Sequence, residues 1–238
     1  MHLRNGTEPP KEILLGVSPV VLSERDRASL LCDPTLRIDV EVQKKMYTVG
    51  TFPRAMLAQF STVIAKVRNT NPTATKIALK AKINPAAVAY LFDWMLEVCA
   101  SEKPQPLSIT NVFRDDVDLY VAACRLSIDE AERAAGDALI LYINTCAWDA
   151  AAFAVMVNKI PVKSRVMDHL LLVTLHLCHE DRLEAFDDIR TVLKPLPLVR
   201  ERMRQLDEQI EDPVKEDEDF QTCDFAESLL LDRFMFRW

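Results

Sequence analysis

Four glycines, at positions 6, 16, 50 and 136, are all that the 238 residues contain. A loop that cradles phosphate needs clustered glycines so that the backbone can approach the anion. The chain carries no Walker loop, no dinucleotide fingerprint and no G-x-S-x-G elbow. Their absence sets aside the commonest nucleotide-dependent and serine-hydrolase classes. Positive charge is also short: 29 Lys and Arg face 36 Asp and Glu, a formal net charge of −7. Nucleic-acid backbones demand a concentrated positive surface, so direct nucleic-acid binding is not expected. The densest basic stretch, "RERMR" from Arg200 to Arg204, is interrupted by Glu201 and reads as a solvated helix face.

Long apolar runs are missing too. "HLLLVTLHLC" is broken by His and Thr, and no stretch reaches the length of a membrane span. The opening "MHLRNGTEPPKE" lacks the apolar core of a signal peptide, so the sequon Asn5-Gly6-Thr7 carries no weight. Six cysteines (Cys32, Cys99, Cys124, Cys146, Cys178, Cys223) are scattered without a CxxC pair. Most lie among apolar helical residues, the pattern of reduced, buried thiols, and the expected location is nuclear and/or cytoplasmic.

What is present is a core-forming composition, 49% hydrophobic, arranged in two unlike parts. Residues 1–31 read as a polar tail followed by an apolar arm, "ILLGVSPVVL", with Ser23 as a helix cap. Ile38, Val40 and Val42 alternate with polar residues, the period of a half-buried strand. "QKK" then turns the chain and "MYTV" returns, and "TKIALKA" repeats the alternation further on. Asn84-Pro85 opens a helix whose face is Val88, Leu91, Phe92, Met95 and Cys99, and Pro104 and Pro106 end that segment. "DDVDLYVAACRL" forms the next helix, and Ser127 with Glu130 fits a capping box for the one after. Beyond residue 147 only helices are expected, at 147–158, 163–179, 182–194 and 197–211, the last with Val199, Met203, Leu206 and Ile210 on one face. An acidic linker and an apolar C-terminal tail occupy 212–238.

The order of strand, hairpin, helix pair, strand, helix, long connection and helix pair between residues 37 and 145 resembles the BTB/POZ domain. "IDVEV" and "MYTV" stand for its opening strands. "PRAMLAQFSTVI" resembles a family helix read as a basic, a small and a hydrophobic residue, Leu and, after three more, Ser. "KIALKAKINPAAVAYLFDWMLE" resembles the third strand and its helix, and "VDLYVAACRLSIDEAERAAGDALILYI" the closing helix pair. The likeness covers about 110 of the 238 residues. Where the family commonly has a histidine this chain has Pro53, and the usual Tyr-Thr-Gly helix ending is replaced by Met95-Leu96-Glu97-Val98-Cys99. The chain is thus similar to divergent, fungal-type members.

The resemblance implies an α+β fold: a BTB/POZ-like module at 32–146, a short three-stranded sheet capped by helices, then an all-helical extension at 147–211. It implies a non-enzymatic homodimer that scaffolds a partner, either a chromatin or transcription factor or, alternatively, a cullin in a ubiquitin ligase. Leu14, Leu15, Met56 and Leu57 are then the expected dimer contacts. Independently of the family, "SLLLDRFMFRW" gathers apolar and aromatic side chains with Arg, the composition of interface anchors. Leu230, Phe234, Phe236 and Trp238 are expected either to fold back on the chain or to dock on a partner.

Chemistry has few candidates. His169, His176, His179 and Glu180 share one helical stretch, but His169 and His176 stand about 10 Å apart along it at roughly 1.5 Å per residue, and Cys178 points elsewhere. The expected role is a polar helix end with no metal. Asp115-Asp116 and Asp187-Asp188 are sequence neighbours that splay about 100° apart on a helix, so solvated roles are expected. Cys124 and Cys146 read as core. No cofactor is expected, and a small helical enzyme using an unrecognised cofactor is the remote alternative.

Overall fold

The computed structural model describes residues 21–80, 82–145, 148–180 and 186–211. Leu14, Leu15, Cys146 and the tail residues Leu230, Phe234, Phe236 and Trp238 lie outside these. Among the described residues a three-stranded mixed sheet near the N-terminus is surrounded by helices and followed by a helical region, ten helices in all. Among the described residues no helix is long and apolar enough to cross a membrane.

The sheet grows from one hairpin. β1 (Thr35–Val42) and β2 (Lys45–Pro53) are antiparallel, and β3 (Lys76–Leu79) lies parallel to β1 on its other side. The order β2-β1-β3 makes β1 central, and Leu36, Ile38 and Val40 are buried there as the alternation requires. Gln43 and Lys44 form the tight turn with φ of 50° and 67°, the left-handed pair that matches strand twist in a two-residue hairpin. β2 runs further than "MYTV" suggests, through Gly50 to Pro53, with a register shift opposite Ile38/Asp39. Gly50 is bare because the Phe52 ring folds back over it: a Cβ there would stand 2.8 Å from Phe52 Cε2. That ring meets Phe92 edge-on at 5.1 Å, which docks the sheet on the long helix behind it.

α1 (Glu24–Leu30) precedes the sheet, capped by Ser23. α2 (Arg54–Phe60) and α3 (Thr62–Thr70) connect β2 to β3, and α4 (Pro85–Ala100) follows, capped by Asn84. Pro53 occupies the cap position of α2, one residue before the first turn that its fixed φ also suits. α5 (Phe113–Leu126) and α6 (Asp129–Thr145) pack as a pair. Ser127 does not cap α6: it closes α5 in the left-handed region, φ 49°, while the Ile128 amide bonds the Ala123 carbonyl. The short link consumes the serine as a helix stop before it can serve as a start.

α7 (Ala150–Lys159), α8 (Arg165–His179), α9 (Phe186–Leu193) and α10 (Pro197–Glu211) complete the chain's described part. α7 packs on α5, α8 on α6, and α10 on α8. One hydrophobic core therefore runs without a break across residue 146, from Ile38 through Tyr120 and Leu139 to Met167 and Leu206. Val199 and Leu206 are the buried face of α10, and Met203 packs against the same core.

Candidate interaction surfaces and buried polar anchors

The residues drawn from the family motif are structural. Met56 and Leu57 have no exposed surface and lie in the chain's own core, so the dimer contacts expected of them are not available to a second copy. The reason is the helix period: both sit on the inner side of α2, where Phe60 continues the face onto Trp94 at 5.5 Å. Arg54 crosses to the loop before β3. Its guanidinium donates to the Ala74 carbonyl at 2.8 Å and also to the Pro72 carbonyl. Ser61 is wholly buried. It caps α3 by accepting from the Ile64 amide at 3.2 Å and donates to the Leu126 carbonyl at 2.5 Å. That carbonyl belongs to the last turn of α5, whose own helix offers it no donor.

Three further anchors each have at least one partner distant along the chain, a pairing that gave no signal in the sequence. Arg27 is 4% exposed and holds α1 down by donating to the carbonyls of Leu22, Ser101 and Glu102, at 2.5, 2.9 and 3.1 Å. Two of these close the C-terminal end of α4, where the helix dipole favours a cation. Asp118 accepts from Asn84 Nδ2 at 2.8 Å and from Lys159 Nζ at 2.5 Å. It thereby joins the start of α4, the middle of α5 and the end of α7. Asp39 lies on the outer face of the central strand, 1% exposed beneath Arg37 and Lys76, which are themselves about half exposed. Lys76 Nζ at 2.6 Å and Arg37 Nε at 3.0 Å hold its carboxyl down to about 2, below the usual 3.8.

The candidate chemical residues disperse. His169 is buried rather than at a polar helix end, with Nε2 2.7 Å from Asn144 Oδ1 on α6, and burial lowers its pKa. His176 pairs with Glu180 at 3.2 Å and His179 with Asp207 on α10 at 3.0 Å. Among the described residues no three His, Cys, Asp or Glu converge as a metal site. Asp116 is buried, not solvated: it accepts from the Thr110 amide and hydroxyl at 3.0 and 2.7 Å and so fastens the loop entering α5. Asp187 and Asp188 are exposed. Burial, with Glu132 nearby, pushes the Cys124 thiol up to about 12, and burial pushes Cys99 up to about 11. Neither is a poised nucleophile, since the thiolate is the reactive form.

Large apolar side chains stand exposed at several places. Met46 and Tyr47 are about half exposed on edge strand β2. Leu141 on α6 and Leu198 on α10 stand largely in solvent. A groove of about 510 Å³ runs between α4 and the segment that follows it, lined by Tyr90, Asp93, Trp94, Glu97 and Pro106 among others. The fold and these surfaces define an α+β protein whose buried polar side chains serve structure. Comparison with protein-family models, curated proteins and solved structures finds no match.

Proposed function

We propose that the chain is a non-enzymatic protein-interaction module of BTB/POZ type, which homodimerises and scaffolds a partner complex in transcription or chromatin regulation. The observation that carries the reading is the element order. A β1–β2 hairpin is followed by the α2–α3 pair, a third strand parallel to the first, the long helix α4, an extended connection and the α5–α6 pair. This is the order the family resemblance implies. Ser61, the residue ending the family-like helix motif, ties the α2–α3 pair to α5, a structural reason for a serine there. With Met56 and Leu57 in the core, a dimer forms through other surfaces: the outer faces of α1 and α3, together with the N-terminal arm. Light scattering on the purified chain at tens of micromolar tests it; twice the chain mass supports the module reading, and a monomer refutes it.

A second reading is an adaptor that carries a cullin. The all-helical part α7–α10, packed on α5 and α6, occupies the place of the extension that often follows the module in such adaptors. Binding of a purified cullin N-terminal domain to the full chain separates the two readings.

A further inference from the structure

The groove beside α4 has an unusual combination of parts. Tyr90, Asp93 and Glu97 form one stripe on the solvent face of the helix, and Trp94 lies at its base. The opposite wall is the chain after α4, held alongside by two aromatic donors: Tyr90 Oη bonds the Ser108 carbonyl at 2.8 Å and Trp94 Nε1 the Gln105 carbonyl at 3.2 Å. No basic side chain lines it. A second pocket, about 450 Å³, differs: it contains Arg165, already bonded to Asp137 at 2.6 Å. Neither the Asp93 nor the Glu97 carboxylate has a hydrogen bond or ion pair among the described residues, and the two exposed side chains are one helical turn apart on α4, about 6 Å between Cβ atoms, beside Tyr90 and Trp94. A guanidinium is the matching group, because its charge meets the carboxylates while its planar face stacks on aromatic rings.

We propose that this groove receives the chain's own C-terminal segment, Arg233 to Trp238. Its sequence is "RFMFRW", two arginines among three aromatic residues. Among the residues outside the described ones, no other stretch joins basic and aromatic side chains so closely: residues 1–20 hold no aromatic residue, and the run from Glu211 to Phe220 is acidic. Length permits the contact. The 21 residues from 212 to 232 reach up to ~70 Å when extended, at about 3.3 Å each, against a radius of gyration of roughly 18 Å for a compact chain of this size. This inference goes beyond the interaction-module reading and does not depend on it. A docked tail covers the groove, and any partner for that surface has to compete with it.

Hydrogen exchange on the full chain tests the proposal, because the groove wall supplies its own reporter. The amides of Lys103, Gln105, Leu107, Ser108 and Ile109 donate no hydrogen bond among the described residues. A segment docked nine-tenths of the time exchanges about tenfold more slowly than one that is free. The expected result is that Asp93→Lys with Glu97→Lys speeds exchange about tenfold at both 103–109 and 230–238. Arg233→Glu with Arg237→Glu does the same, and combining all four changes restores protection at both. Exchange of the tail that is unaltered by the groove pair, or of the wall that is unaltered by the tail pair, overturns the proposal. So does a four-fold charge swap that restores nothing. Far-UV circular dichroism confirms the fold of each variant, and all four positions are hydrophilic.

Discussion

Replacing Ser61 with alanine removes one oxygen and, with it, two bonds from a site with no access to water. The first is the cap of α3, where the hydroxyl accepts from the Ile64 amide at 3.2 Å; Ser to Ala at such a position costs about 1 kcal/mol. The second is the 2.5 Å bond to the Leu126 carbonyl. That acceptor stays buried after the change, and an orphaned buried acceptor costs about 1–3 kcal/mol. The sum is about 2–4 kcal/mol, or a fall in Tm of roughly 10 °C in a chain of this size. Urea unfolding followed by circular dichroism measures it. Asp149→Ala is the comparison, because Asp149 is an exposed cap whose carboxylate accepts from the Ala152 amide at 2.7 Å, and its loss is expected at about 1 kcal/mol. If Ser61→Ala costs no more than Asp149→Ala, the bond between α3 and the end of α5 has no energetic weight and the reasoning fails.

The other predictions rest on single contacts. Gly136→Ala places a methyl 3.1 Å from the ring of the fully buried Tyr120, and 2.6 Å from Arg165 Nη2, which must swing off the Arg133 carbonyl it bonds at 2.7 Å. Overpacking of about 1–3 kcal/mol outweighs a gain in helix propensity of about 1 kcal/mol, so the urea midpoint should fall; a rise contradicts this. Arg27→Met leaves three carbonyls without their donor and should raise hydrogen exchange in α1 and at the end of α4 together, while unchanged α1 exchange counts against the anchor. For pH, the depressed pKa of His169 means that the unfolded chain takes up a proton near the ordinary value of 6.5 before the folded chain does. Stability is then lost as pH falls below about 6.5, and His169→Gln should flatten the urea midpoint between pH 7.5 and 5.5. Asp39, held at about 2 against 3.8, contributes stability that is complete above 3.8 and disappears as pH falls through about 2. In Asp39→Asn that acid step should vanish.

The sequence by itself determined the parts whose signal is local. Alternation at Ile38, Val40 and Val42 specified a strand with one buried face, and Asn84-Pro85 specified a helix start, because period and capping depend on neighbours a few residues away. The mostly helical character of the described residues after 147 was legible for the same reason. What failed locally was ambiguous locally: Ser127 suits a helix start, yet the tight link to α5 required a left-handed stop, and nothing within four residues says which end prevails. The inward aspect of Met56 and Leu57 illustrates the next level. Their spacing shows an apolar face, but only the seating of α2 against α4 decides that this face meets the chain's own core rather than another copy. Arg27 with Ser101, Ser61 with Leu126, and Asp118 with Lys159 are separated by 74, 65 and 41 residues. Pairings over such distances leave no periodic trace in a single sequence. The groove beside α4 belongs with them, since Trp94 and Tyr90 form its wall by fastening carbonyls that extended backbone would otherwise turn to water.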